Sequence, residues 1–168
     1  MSYFKPFPLV LYPTPGSETN LEWQVNLTRR SGVPARYKND NRYYYLHSIR
    51  DHETPEVLAD KLYNNVNLAW VILQFNDIVD MYKEWPLTQN ELLSYVNAKY
   101  EDPYKIHHYI SIEDQDLIVE ENHPLYDRMP ITNMEHEEIL NDKKRTIKLP
   151  NQDVVNMIVK SHNQIMRS

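Results

Sequence analysis

Apolar positions along this chain fall into short runs of changing period, and each period predicts an element. Leu21-Glu22-Trp23-Gln24-Val25-Asn26-Leu27 alternates strictly, as a half-buried strand does. Arg42-Tyr43-Tyr44-Tyr45-Leu46-His47 is an aromatic strand candidate. Thr54-Pro55-Glu56 supplies an N-cap, a proline at N1 and an acid in the first turn, so a helix runs through Val57, Leu58, Ala59 and Leu62 to stop near Asn64-Asn65. Asn67 caps a second helix over Leu68-Ala69-Trp70-Val71-Ile72-Leu73-Gln74-Phe75, whose apolar circumference demands burial on several sides. Thr88 and Glu91 have capping-box spacing, with Leu87 and Leu92 as a staple, and predict a third helix carrying Leu92, Val96 and Tyr100 on one stripe.

Further on, Tyr109-Ile110-Ser111-Ile112 and Leu117-Ile118-Val119 read as a hairpin across an acidic turn. Residues 121–133, with Pro124 and Pro130, read as loop, followed by a charged helix over 133–142 and a short strand over 145–149. Asn151 caps a last helix whose apolar face is Val154, Val155, Ile158, Val159, His162, Ile165 and Met166. Residues 1–40 hold both glycines and five prolines, Pro6, Pro8, Pro13, Pro15 and Pro34, so this segment reads as an extended arm lying on the body or on a partner.

Composition narrows the chemistry. With 168 residues the chain has the length of one domain with arms, and no apolar run spans a membrane. The first residues, Met1-Ser2-Tyr3-Phe4-Lys5-Pro6, lack a secretory pattern. Zero cysteines exclude disulfides, thiolate metal sites and cysteine nucleophiles. Two glycines, where average usage gives about 12, leave no phosphate-cradling loop. A net charge of −6 has the wrong sign for a nucleic-acid footprint. The 13 tyrosines and 3 tryptophans are the amphipathic aromatics that interfaces favour.

Catalytic constellations are absent. His136-Glu137-Glu138-Ile139-Leu140 opens like a zinc-protease helix but carries Leu140 where the second ligand belongs. His107 and His108 are adjacent, and strand neighbours point to opposite faces, so no metal site is expected there. Asp51-His52-Glu53 reads as a solvated turn. No nucleophile elbow occurs, and 24 acids make any carboxylate pair uninformative. No catalytic residue and no cofactor are therefore expected.

The segment His52-Glu53-Thr54-Pro55-Glu56-Val57-Leu58-Ala59, followed by Trp70-Val71-Ile72-Leu73-Gln74-Phe75-Asn76, resembles a LysM module. More specifically, the run Thr54-Pro55-Glu56, Leu58-Ala59, Leu62-Tyr63, Leu68-Ala69-Trp70-Val71-Ile72-Leu73, Asn76 and Trp85-Pro86-Leu87-Thr88 resembles the LysM-containing baseplate wedge subunits of contractile-tailed, T-even-like bacteriophages, the family numbered fifty-three. Glu137-Glu138-Ile139-Leu140-Asn141, Lys144-Arg145 and Ile147-Lys148-Leu149 extend the likeness towards the C-terminus. The resemblance implies a non-enzymatic protein of the virion tail baseplate, made in the host cytoplasm and present in several copies in a six-fold assembly. It also implies partners among the other wedge proteins, namely baseplate J-like subunits and the lysozyme-like sheath-initiating subunit, with neither nucleic acid nor membrane. LysM modules elsewhere bind N-acetylglucosamine polymers, which makes peptidoglycan binding the alternative. Here His52-Glu53-Thr54 replaces the usual Gly-Asp-Thr turn and Met81-Tyr82-Lys83-Glu84-Trp85-Pro86 replaces the glycine-rich return strand, changes that suit a module reused for protein contacts.

The expected architecture is α+β, with a small LysM-like βααβ-type core, an extended N-terminal arm, an added hairpin and a C-terminal helix. Its expected divisions are an arm over 1–40, a LysM-like domain with an extra helix over 41–100, a hairpin and loop over 101–133 and a helical segment over 134–168. Trp23, Tyr82, Trp85, Val155 and Ile158 are the expected partner-facing residues, because the chain has more apolar and aromatic surface than a small core needs.

Overall fold

A computed structural model describes residues 3–13, 16, 20–122 and 127–167. The described elements run β1 (Leu9–Pro13), β2 (Leu21–Val25), α1 (Ala35–Asn39), β3 (Tyr44–Ser48), α2 (Pro55–Tyr63), α3 (Ala69–Phe75), α4 (Met81–Glu84), α5 (Gln89–Lys99), β4 (Ile106–Ser111), β5 (Ile118–Val119), β6 (Arg128–Thr132), α6 (Asn133–Lys143), β7 (Thr146–Pro150) and α7 (Gln152–Arg167). This is an α+β protein. It divides into two compact units, and neither is continuous in sequence. The first takes Met1–His47, Glu53–Met81 and Ile147–Ser168, the second Ser48–His52 and Tyr82–Thr146. The division differs from the four consecutive segments expected, because β3 pairs with β7, from the far end of the chain, rather than with a strand that follows α3.

In the first unit, α2 starts as its sequence requires. The Thr54 hydroxyl accepts the Val57 N–H at 3.3 Å, Pro55 fills the first turn, and Asn64 closes the helix in the left-handed region at φ 50°. The next start lies two residues earlier than expected: Asn65, not Asn67, is the cap, accepting the Asn67 N–H at 3.1 Å to open a 3₁₀ turn. Helix α3 then buries Ala69, Val71, Ile72 and Phe75, as its apolar circumference demands. At its end Asn76 acts as a strand neighbour would. Its side-chain N–H groups reach Ile72 and Lys148 carbonyls at 2.9 and 2.8 Å, and its oxygen accepts the Lys148 N–H at 2.8 Å. One amide thereby joins α3 to β7.

Asn151 caps α7 by accepting the Val154 N–H at 3.0 Å, and Val154, Val155, Ile158, His162 and Met166 are buried. Parts of the arm fold onto the same unit. The Tyr3 ring stacks on His162 at 4.6 Å and meets Trp70 edge-on at 5.2 Å, while the His162 Nε2–H donates to the Tyr3 carbonyl at 2.8 Å. Ser31 hydrogen-bonds His162 Nδ1 at 2.7 Å, and Arg29 donates to the Ile165 carbonyl at 2.8 Å. Glu53, expected in a solvated turn, is largely covered. Its carboxylate takes His47 Nε2 at 2.8 Å and Lys61 Nζ at 3.0 Å.

The second unit contains an antiparallel sheet in the order β5-β4-β6. Strand β6 lies where the sequence reads as loop. Pro130 hid it, yet β6 is an edge strand of this sheet, the position where a residue without an N–H is tolerated. Residues 123–126, including Pro124, lie outside the described residues. Helices α5 and α6 both begin with complete capping boxes, Thr88 with Glu91 and Thr132 with Glu135. Asn141, buried on α6, pairs with the Leu87 backbone in both senses, at 2.7 and 2.9 Å, satisfying a polar side chain that burial would otherwise penalise. Among the described residues no helix is long and apolar enough to cross a membrane.

Candidate functional site

The β1–β2 ladder sets Leu9 opposite Val25, Leu11 opposite Trp23 and Pro13 opposite Leu21. Alternate strand positions share a face, so these six residues form one wholly apolar surface. All six are exposed, Trp23 by 66%. The other face carries Val10, Tyr12, Glu22 and Gln24 and is exposed too. The alternation in residues 21–27 predicted the second strand, but with one face buried. What the described structure shows is a two-stranded ribbon with neither face covered. Such a ribbon has little stability of its own in water, and an apolar face of this kind marks an interaction site. Leu9-Val10-Leu11-Tyr12 escaped notice as a strand because the prolines around it read as irregular chain.

Of the residues expected to meet partners, Trp23 is on this face and Tyr82 on α4 is 91% exposed. The other three face inward. Trp85 is 7% exposed, Ile158 7% and Val155 0%. An amphipathic helix offers a single apolar stripe, and α7 uses its own to close the core of the first unit. The surface expected for a partner is therefore consumed within the chain.

The second unit holds two polar clusters. On α5 and α6, Glu137 accepts from Lys99 Nζ and from the Tyr100 hydroxyl, both at 2.7 Å. Burial pushes the Glu137 carboxyl up, but the Lys99 and Tyr100 hydrogen bonds outweigh it and hold the group below its ordinary value. The Tyr100 phenol is raised, first by the proton it gives that carboxylate and then by burial. Lys99 and Glu137 border an open cleft of about 470 Å³ that also includes Tyr82, Leu92, Tyr95 and Lys144.

The other cluster is His107, His108 and His136. A register shift in the β4–β6 ladder between Ile106 and His108 breaks the alternation that sends strand neighbours to opposite faces. His107 Nδ1 and His108 Nδ1 stand 2.8 Å apart, and the His136 ring stacks on that of His107 at 4.0 Å between centroids. Burial, and then the charge of His107, push His108 and His136 below the ordinary histidine range. Sequence reasoning dismissed the His107–His108 pair on strand periodicity, and no local signal marks the bulge that overturns it.

The family model described as base plate wedge protein 53 matches residues 35–128. Among curated proteins nothing matches this chain.

Proposed function

Because the chain belongs to the base plate wedge protein 53 family, and is thus a structural component of the virion tail baseplate, we propose that it joins neighbouring wedges by protein–protein contacts during tail assembly. The observation that carries this reading is the apolar ladder Leu9/Val25, Leu11/Trp23, Pro13/Leu21. The ladder lies before the matched stretch, so the docking role is assigned to this chain's own arm. Covering it removes a large aromatic and five aliphatic side chains from water at roughly 25 cal/mol per Å² of apolar area. That gain favours a partner that lays its own surface along the ribbon. Tyr82, on α4, supplies a second aromatic contact. The occupants are other wedge proteins, with baseplate J-like subunits and the lysozyme-like sheath-initiating subunit as the expected ones, repeated in a six-fold assembly. In this reading the chain is not an enzyme, and it contacts protein rather than nucleic acid or membrane.

The test is co-expression with the neighbouring wedge reading frames, followed by size-exclusion chromatography with light scattering. A stable hetero-complex that is lost in Leu11→Ser/Trp23→Ser, while the isolated variant keeps its circular dichroism, supports the assignment. A complex indifferent to both changes removes the hairpin from the interface. A monomer that instead sediments with purified peptidoglycan restores glycan binding.

A further inference from the structure

We propose that His107, His108 and His136 bind a first-row transition-metal dication of the zinc class, which ties the bulged strand β4 to helix α6. Each residue offers one imidazole nitrogen, and the three nitrogens lie within 4.8 Å of one another. Two ligands held about 2.0–2.1 Å from one ion at tetrahedral or right angles stand roughly 3 Å apart. The 2.8 Å between the Nδ1 atoms of His107 and His108 is already close to that separation. His136 completes the triangle by a side-chain rotation that trades its parallel stacking on His107 for a bond to the same ion.

The donor set selects the metal. Three imidazoles with no carboxylate among them suit zinc, nickel or copper and are poor ligands for magnesium or calcium. The nearby Lys99 ammonium, which disfavours a second cation, is compensated by Glu137 at 2.7 Å. Access is open. His107 is exposed, and it and His108 line a surface cleft of about 420 Å³ with Lys105, Tyr109 and Glu121. Three protein ligands leave one tetrahedral position for water or an incoming donor. Without the bulge His107 and His108 would point apart, so the irregularity in the ladder is what creates the site.

The experiment uses the full chain, stripped with a chelator and titrated with Zn²⁺ alone by isothermal calorimetry, with thermal unfolding followed in parallel. The expected result is one Zn²⁺ per chain and a thermal midpoint that rises with Zn²⁺, since an ion that binds only the folded state stabilises it. In His136→Ala the affinity falls by more than the roughly 10–100-fold loss that follows removal of an outer partner, and the rise in midpoint disappears. His107→Gln does the same, so the test survives if one variant fails to fold. His52→Ala, outside the cluster, binds as the unaltered chain does. Absence of Zn²⁺ uptake by the unaltered chain, or unchanged affinity in a folded His136→Ala or His107→Gln, overturns the proposal.

Discussion

Asn76→Asp changes one atom of the side chain and tests whether its amide joins α3 to β7. The wild-type amide donates to the Ile72 and Lys148 carbonyls at 2.9 and 2.8 Å and accepts from the Lys148 N–H at 2.8 Å. Aspartate keeps the acceptor and the shape but turns both donors into an oxygen facing two carbonyl oxygens. Two lost hydrogen bonds cost about 1 kcal/mol each, and leaving a part-buried carboxylate against unpaired acceptors adds ~1–3 kcal/mol. The expected loss is therefore about 3–5 kcal/mol at neutral pH, a large share of the roughly 5–15 kcal/mol of an ordinary domain. Urea unfolding followed by intrinsic tryptophan fluorescence measures it. The variant has a second signature. The folded state favours the protonated acid, so the introduced carboxyl titrates higher folded than unfolded. Its penalty is then full above the folded pKa and shrinks as pH falls through it towards the unfolded value near 3.9. A loss under about 1 kcal/mol that does not change with pH would refute the role of Asn76 as a strand surrogate.

Three further outcomes follow from the packing. Ile158→Asp places a charge at a site 7% exposed and abolishes the cooperative thermal transition, whereas Trp23→Ser, at a site 66% exposed, shifts stability by no more than about 0.5 kcal/mol. Circular dichroism melts separate the two. Thr132→Ala breaks the capping box of α6 and costs about 1 kcal/mol in urea unfolding. The Glu137 carboxyl titrates below its ordinary value of 4.5 in the fold, so its contribution is complete above that value and is lost as pH falls through the folded pKa. Glu137→Gln should therefore unfold at lower urea at pH 7 and lose part of the acid sensitivity below about pH 4.5, read from urea midpoints across pH.

Much of the local structure was legible in the chain because its causes lie within a few residues of one another. The cap at Thr54 and the box of Thr88 with Glu91 are relations between neighbours in sequence, and the structure reproduces them. The wedge family was legible too, through the run from Thr54 to Thr88 that lies inside the matched stretch. Periodicity marked one side of α7 as apolar, but not what would cover that side. Only the tertiary structure decided that Val155 and Ile158 close the core of their own unit. Only it decided that β7 completes the pair with β3, that Pro130 sits on a sheet edge, and that a bulge turns His107 and His108 the same way. Each of those outcomes depends on a partner remote in sequence. A one-residue slip in a ladder exchanges the two faces of a strand, and nothing in the strand's own residues records it.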